Sequence, residues 1–525
     1  MIRWAENKCN RNQVALFSPT LDDSITPDHP VRLFDEVLAS LNFLEWEAGY
    51  ERVDGQPPIH PRVVAGAILY GMSLGIRSSR KVEDATANRV DFMWLSHVAC
   101  HGRVIDHATV ANFRVKFAAQ IKSLFRQVGK VAIGMGLANL NQIALDGTAK
   151  RSNNSRYKTS RRANLEQKLS GLDEQVEQMM NQWKEQDARD QELFGETSPS
   201  KLPRELKELS KRQARLREAM KKLAEIECKQ SGRKDVSARG PAVPTTDPDC
   251  TVSKSKTGGF APNYTVVLAS EGQNGFIVDA QIQGGNDEPS SVMPAVAEIE
   301  AHFGQKPGEL LADSNFNTGT NLKELTEQKT QPFMPPRQEP SRENPAVRPD
   351  PTDPVPTEQH EKLPVNPQLK VLDKSAFIYD PAADHYHCPM GKPLEFAGTT
   401  SYKRDSIKGT YRIYEAAAGA CQGCPLAEQC LLGKRTERRV VRDEYEPLRE
   451  AMAARMESES GKKKYKRRSF LCETPFAVMN TTMNFHQFLL RGIEKAGTEL
   501  MWTCGAMNLS KLARLIARQR AVGAM

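Results

Sequence analysis

The stretch IALDGT, residues 143–148, reads as a short apolar strand that delivers an aspartate, Asp146, at its carboxyl end. LLADSNF, residues 310–316, repeats the pattern, with the strand ELLAD (309–313) ending on Asp313. In open α/β sheets functional groups gather at the carboxyl ends of strands, so two aspartates far apart in sequence can meet there. A strand-end aspartate is also a common turn residue, and position alone leaves both readings open. Between the two, Tyr264 to Ala269 reads as a strand, Asn274-Gly275 as a hairpin turn and Phe276 to Ile282 as the return. A helix from about Ser291 to Phe303 precedes ELLAD, a helix from about Thr318 to Gln328 follows it, and QPFMPP adds a short strand. The order β, β, β, α, β, α, β belongs to a mixed α/β sheet.

Outward from this core the pattern changes. Residues from about 15 to 135 carry helical periodicity, as in Val31, Phe34, Val37, Leu38 and Leu41, then Val63, Val64, Ala67, Ile68 and Leu69 after His60-Pro61. A compact all-α domain over 1–138 is expected, either a DNA-binding module of the helix-turn-helix kind or an oligomerisation domain. Over 161–230 apolar residues step by three and four: Leu165, Leu169, Leu172, Val176, Met179 and Trp183, then Leu202, Leu206, Leu209, Leu216, Met220 and Leu223, with polar Gln213 in the series. Two such helices joined by GETSPS (195–200) predict an antiparallel coiled-coil hairpin, an intermolecular coil being the alternative. Prolines at 335, 336, 340, 345, 349, 351, 354, 356, 364 and 367 mark 335–375 as an extended or disordered linker.

At 525 residues the chain exceeds the roughly 250–300 at which single cores stop growing, so several domains are expected. No window approaches the ~20 apolar residues of a membrane span, and the N-terminus MIRWAENKCN lacks a secretory pattern, so a cytoplasmic protein with no membrane partner is expected. The formal charge of +8 suits a polyanionic partner. Lys and Arg crowd at 150–162 (KRSNNSRYKTSRR), 434–442 (KRTERRVVR) and 462–468 (KKKYKRR). A basic run is ordinarily a solvated face, but each of these flanks a motif with its own chemistry.

One such motif is the cysteine set: Cys388 in HYHCPMGK, then Cys421, Cys424 and Cys430 in CQGCPLAEQC. Four thiolates around a Cys-x-x-Cys core form the soft tetrahedral donor set of a structural Zn²⁺ site within a small module over 376–464. His385 or His387 is an alternative to Cys388 as ligand, and unlinked buried cysteines are the bland reading. Cys9, Cys100, Cys228, Cys250, Cys472 and Cys504 are scattered, and the histidines at 29, 60, 101, 107, 302, 360 and 486 show no metal spacing. The other motif is Glu473 in YKRRSFLCETPF (465–476), where a basic stretch runs into an apolar helical tail expected from about 473 to 519. Alone, it is equally a first-turn glutamate answering the helix dipole.

Together these segments resemble a family. IALDGT, LLADSNF, YKRRSFLCETPF and the tail FLLRGIEKAGTELMWTCGAMNLSKL (488–512) are similar to DDE transposases of bacterial insertion sequences. So are SPTLDDSITPDHPVRLFDEV (18–37), IHPRVVAGAILYGMSLGIRSSRKVED (59–84) and IDHATVANFR (105–114) near the N-terminus. The resemblance implies a ribonuclease-H-like core over 139–334 and 465–525, with Asp146, Asp313 and Glu473 as catalytic ligands of two Mg²⁺ or Mn²⁺ ions. It implies DNA cleavage and strand transfer at element ends, on double-stranded DNA, by a homo-oligomer that is a dimer on DNA and nucleoid-associated when bound. Tyr465, Lys462, Lys463, Lys464, Lys466, Arg467, Arg468 and Arg491 are the expected DNA contacts, positioning phosphates rather than reading sequence. Many relatives carry a basic residue seven positions after the Glu; here that position is Asn480. A catalytically dead DNA-binding relative and a plain metal-dependent nuclease are the competing readings.

Overall fold

The computed structural model describes residues 20–50, 57–97, 104–194, 203–230, 240–254, 258–336, 344–404 and 407–523. The chain forms two units, Met1–Pro307 with Arg468–Met525, and Gly308–Arg467.

The first unit opens with helices α1 (Pro30–Ala39), α2 (Leu44–Glu47), α3 (Pro61–Ser73), α4 (Ser79–Asn88), α5 (Val90–Ser96), α6 (His107–Lys116) and α7 (Ala118–Gly134). Two histidines without metal spacing begin helices. His29 and His60 stand at the N-caps of α1 and α3, their Nδ1 atoms accepting from Val31 N at 3.3 Å and Arg62 N at 3.2 Å. Pro follows each at the first helical position, where its missing N–H costs nothing.

Strand β1 (Gln142–Arg151) comes next, then β2 (Thr159–Ser160) and the long helices α8 (Arg162–Phe194) and α9 (Arg204–Gln230). These helices pair antiparallel within the chain: Arg162 meets Glu227 while Asp173 meets Arg217 at 3.1 Å, around buried Leu165, Leu172, Leu216 and Leu223. The GETSPS segment lies outside the described residues. The chain returns through β3 (Val243–Pro244), β4 (Thr251–Lys254), β5 (Phe260–Glu271), β6 (Ile277–Gln283) and α10 (Val292–Phe303). β5 pairs antiparallel with β1 along one edge, Asp146 opposite Leu268, and with β4 and β6 along the other. The β5–β6 turn falls at Asn274-Gly275 as its sequence predicts, with Gly275 at φ 72°. Glu271 holds that turn by accepting from the backbone N–H groups of Gln273, Asn274 and Phe276.

The second unit contains β7 (Glu309–Leu311), α11 (Gly319–Glu327) and β8 (Gln331–Phe333), with β7 and β8 parallel. The segment predicted to be a linker is folded where it is described. Ala346, Val355, Leu363 and Leu372 are buried in one cluster with Phe377, Tyr386 and Tyr414. Val355 N donates to the Pro389 carbonyl at 2.7 Å, and Arg348 donates to the carbonyls of Ala346, Pro351, Asp353 and Cys388. Proline composition predicted an unpacked strand of chain, but interleaved apolar residues give the stiff backbone a surface to bury. An antiparallel sheet follows, of β9 (Ile378–Asp380), β10 (His385–His387), β11 (Pro393–Arg404), β12 (Ile407–Ala416) and β13 (Arg439–Asp443), with α12 (Ala427–Cys430) before β13. Helices α13 (Glu446–Glu457) and α14 (Glu459–Thr481) lead out of this unit, and α15 (Ile493–Gly523) ends the chain.

In the first unit the middle of α15, Thr498 to Leu509, is buried all round, as a helix packed on two sides must be. Trp502 meets Trp46 and Phe113 from the N-terminal helices, while the Asn508 amide brackets Ile277 of β6, accepting from its N–H at 2.9 Å and donating to its carbonyl at 2.7 Å. The N-terminal helices, the sheet and α15 share one core. A buried ion pair crosses it: Arg77 reaches Glu499 at 2.5 Å and the carbonyls of Asn484 and Gln487 at 2.9 and 2.8 Å. Glu499 also accepts from the Leu489 and Leu490 N–H groups. Replacing Glu499 with Gln strands the Arg77 charge, and calorimetry should show the chain destabilised by about 3–5 kcal/mol. An unchanged melting transition would show that the pair carries no net stability.

A second buried acid gives a pH signature. Burial pushes Asp279 of β6 up to about 6, partly offset by a 2.8 Å hydrogen bond from Gln281. The fold therefore favours the protonated acid: its penalty is absent below the ordinary carboxylate range and fully present above about 6. Asp279→Asn should stabilise the chain at pH 7–8, with the gain fading towards pH 4 in melting curves recorded across that range.

Candidate active site

Asp146 is the fifth residue of the ten in β1 and not its last. The ladder continues through Gly147 opposite Val267 and Thr148 opposite Val266 to Arg151 opposite Asn263. The strand was expected to end at Asp146, yet Gly147 is a strand residue whose hydrogen leaves room for a neighbour: a Cβ would come within 2.7 Å of the Glu288 carboxyl group. Because side chains alternate along a strand, Asp146, Thr148 and Lys150 share the opposite face.

Helix α14 is anchored to that face at two points. Arg468 Nη2 lies 2.9 Å from Asp146 Oδ1, both side chains being mostly buried. Lys150, itself buried, donates to the Asn480 side chain and to the Phe485 carbonyl at 2.8 Å. Glu473 stands seven residues before Asn480, and a helix drifts only ~20° over that span, so the two share one side of α14. Glu473 is exposed, mid-helix, and fourteen positions from the first residue of α14, Glu459. The first-turn dipole reading is thereby removed. Pro475 brings no N–H to this turn, so the ladder lacks its bond to the Leu471 carbonyl.

Asp313 belongs to the second unit and follows β7 by two residues. Its Oδ1 accepts from Asn315 N at 2.8 Å and its carbonyl from Phe316 N at 3.2 Å, an Asx turn that fixes the carboxyl group.

The structure sorts the basic residues. Lys462, Lys463, Lys466 and Arg467 are exposed, with Lys462 3.2 Å from Glu459. Lys464 is paired with Glu309 and lies 5.3 Å from the Phe333 ring centroid. Tyr465 is half-buried, Arg468 is held on Asp146, and Arg491 donates through Nε to the Asn153 carbonyl at 3.0 Å. Lys150, at the head of a basic run, faces the interior, and nothing in its local sequence distinguishes it from the solvated members of that run.

Cys388, Cys421, Cys424 and Cys430 line one cavity of about 30 Å³ with Leu372, Leu394 and Leu426. Two turns present them. The Lys392 N–H lies 3.3 Å from Cys388 Sγ, and Gly391 adopts φ 75° where a Cβ would strike the Thr352 carbonyl. Gly423, inside Cys-x-x-Cys, adopts φ 69°. Burial raises the Cys388 thiol and pushes Cys430 up to about 12. His385 and His387 are not among the residues lining this cavity. Cys9 and Cys100 lie outside the described residues; Cys250, Cys472 and Cys504 are buried and Cys228 is exposed. No described helix is long and apolar enough to cross a membrane.

Comparison with protein families gives two matches, both to transposases. Residues 387–513, spanning the four cysteines, α14 with Glu473 and most of α15, match the family described as Transposase DDE domain. Residues 19–116, spanning α1 to α6, match the Transposase domain DUF772. No curated protein matches the chain. The two matches support a DDE transposase of the insertion-sequence type, and transposase domains imply a part in DNA transposition.

Position 480, where the resemblance implies a basic residue, faces the Lys150 ammonium in this chain. Asn480→Leu keeps the side-chain size and removes the acceptor, which should cost about 1–3 kcal/mol in thermal unfolding. Adding Lys150→Met should recover most of the loss; a double variant no more stable than the single one would refute the coupling.

Proposed function

We propose that this transposase cleaves DNA strands at the ends of its element and joins the 3′-hydroxyl ends to a target, using Asp146, Asp313 and Glu473 as metal ligands in a ribonuclease-H-like core. The observation that carries the reading is the clamp of α14 on β1. Arg468 meets Asp146 at one end, Asn480 meets Lys150 at the other, and Glu473 stands between them on the side of the helix that carries Asn480. The order of β1, β5, β6, α10, β7, α11 and β8, followed by α14, is the order that such a core requires.

The donor set fits two Mg²⁺ or Mn²⁺ ions, since all three residues offer hard carboxylate oxygens. The mostly buried Asp146 already takes a cationic neighbour in Arg468. When bound, the metals supply activation of the attacking oxygen and stabilisation of the leaving 3′-oxygen. The residues of the chain set the stage for that chemistry. β1 holds Asp146 rigidly between ladder partners, the Asx turn fixes Asp313, and the exposure of Glu473 leaves its carboxylate open to DNA and water. Arg468 orients the Asp146 carboxylate. Lys463 and Lys466, three residues apart on one exposed side of α14, are placed to hold phosphates of double-stranded DNA. The chain works as a homo-oligomer, a dimer on DNA, in the cytoplasm at the nucleoid. The cysteine cavity fits one structural Zn²⁺, with four soft donors and a backbone N–H directed at one sulfur.

Cleavage and gel-shift assays on end-sequence DNA with Mg²⁺ separate chemistry from binding. Asp146→Asn and Glu473→Gln should each lower strand cleavage by on the order of a hundredfold or more while DNA binding persists, since phosphate contacts dominate affinity. Lys463→Ala with Lys466→Ala should weaken binding on all sequences and flatten the slope of log K against log salt by up to about 2. Cleavage by Glu473→Gln at the parental rate would overturn the assignment, and strand transfer absent from a cleaving parent would favour a plain nuclease.

A further inference from the structure

The antiparallel hairpin of β9 and β10 carries three potential metal ligands that the transposition chemistry does not use. Asp380 and His385 are direct partners across the ladder, and His387 lies two residues further along β10, on the same face. Among the described residues, ligand atoms of Asp380, His385 and His387 all lie within 4.8 Å of one another. The two imidazoles meet through their Nε2 atoms at 2.9 Å. Tyr386, between them, points the other way into the core of the second unit. None of the three lines the cysteine cavity, so these groups form a separate cluster.

Two features distinguish the cluster from an ordinary histidine contact. His387 is buried, yet its Nδ1 has no hydrogen-bond partner, so the single Nε2 contact is all the ring makes. The ring is therefore positioned through Nε2, the atom that faces His385. Asp380 is already oriented for a ligand: its Oδ1 accepts from the backbone N–H groups of Ala382 and Ala383 at 2.9 and 3.3 Å, which fixes the carboxyl group in the turn. Glu395 Oε1, 4.0 Å from His385 Nδ1, lies where a carboxylate commonly orients a metal-bound imidazole.

We propose that Asp380, His385 and His387 bind a second divalent ion, a late first-row metal such as Zn²⁺, through both Nε2 atoms and the Asp380 carboxylate. Metal–nitrogen bonds of about 2.0–2.1 Å place cis ligands about 2.9 Å apart at a right angle and about 3.3 Å apart in a tetrahedron. The observed separation needs little or no opening. No net proton is released: the Nε2 proton shared by the neutral rings moves to Nδ1, and both Nε2 lone pairs then face the metal. Two nitrogens and one oxygen are a harder set than four thiolates, so the two centres have different optical signatures.

Cobalt(II) reads that difference. The full chain, stripped with a chelator and titrated with Co²⁺ in excess Mg²⁺ to keep the carboxylate centre filled, should take up two equivalents, one with intense thiolate-to-metal absorption and one without it. His385→Ala with His387→Ala should remove only the second equivalent. Cys421→Ser with Cys424→Ser should remove only the first. Asp380→Asn keeps an oxygen for the turn and should weaken the second equivalent by about tenfold or more, with unchanged circular dichroism showing that the hairpin is intact. Absence of the band-free equivalent from the parent, or its retention by the histidine variant, would overturn the proposal. So would loss of the thiolate bands in the histidine variant, which would make the histidines part of the cysteine centre.

Discussion

A charge that cannot leave the interior fixes the arrangement of the first unit. Arg77, on the short link between α3 and α4, is surrounded by Glu499, two carbonyls of the 484–487 loop and the Phe485 ring 4.2 Å away. Burial lowers its pKa, while Glu499 holds it charged. A desolvated guanidinium tolerates few alternative arrangements, because each lost partner leaves a buried donor unmet. The loop it grips joins α14 to α15, so the register of α14 against β1 depends on a residue near the other end of the sequence. Phe485, whose carbonyl receives the Lys150 ammonium, belongs to the same loop. The N-terminal helices thus form part of the wall against which the sheet of β1 is held.

The sequence was most legible where local rules act alone. The apolar run from Tyr264 to Ala269, Asn274-Gly275 and the helical pattern from about Ser291 to Phe303 placed β5, its turn, β6 and α10 within a few residues of where they lie. Asp146 and Glu473 stand out in the sequence as candidates, but their geometry does not. The strand was expected to end at Asp146, and its continuation through Gly147 has its reason only in the nearby Glu288 carboxyl group. The basic stretch before Glu473 obscured the start of α14, since helix propensity is weak evidence beside a dense run of charge. Lys150 and Asn480 were individually ordinary. Their contact spans most of the chain, and no local pattern encodes it.

The proline-rich segment shows the reverse case, in which composition was read correctly and its consequence was not. Prolines limit the conformations of an unfolded chain as well as a folded one, so ordering such a segment loses less entropy than ordering a flexible one. A few buried residues, Ala346, Val355, Leu363 and Leu372, then suffice to dock it beside the cysteine cavity. The glycine at 391 records the closeness of that docking, because the Thr352 carbonyl occupies the space of a side chain.

The helical hairpin inserted between β1 and β5 has a consequence for assembly of the sheet. Its two ends are tied by β2 and β3, by the Thr245 N–H donating to the Lys158 carbonyl at 2.9 Å, and by Arg162 with Glu227. Once this neck closes, the sheet experiences a connection of only a few residues on either side, although many more intervene in sequence. Loop-closure entropy rises with the logarithm of the segment that remains flexible, so a self-tied insertion adds little to the cost of pairing β1 with β5. The length of the hairpin is then decoupled from the strand register that positions Asp146. Helical turns added or lost beyond the neck would leave the pairing of β1 with β5 unchanged, and the projection is free to vary in reach while the sheet at its base stays fixed.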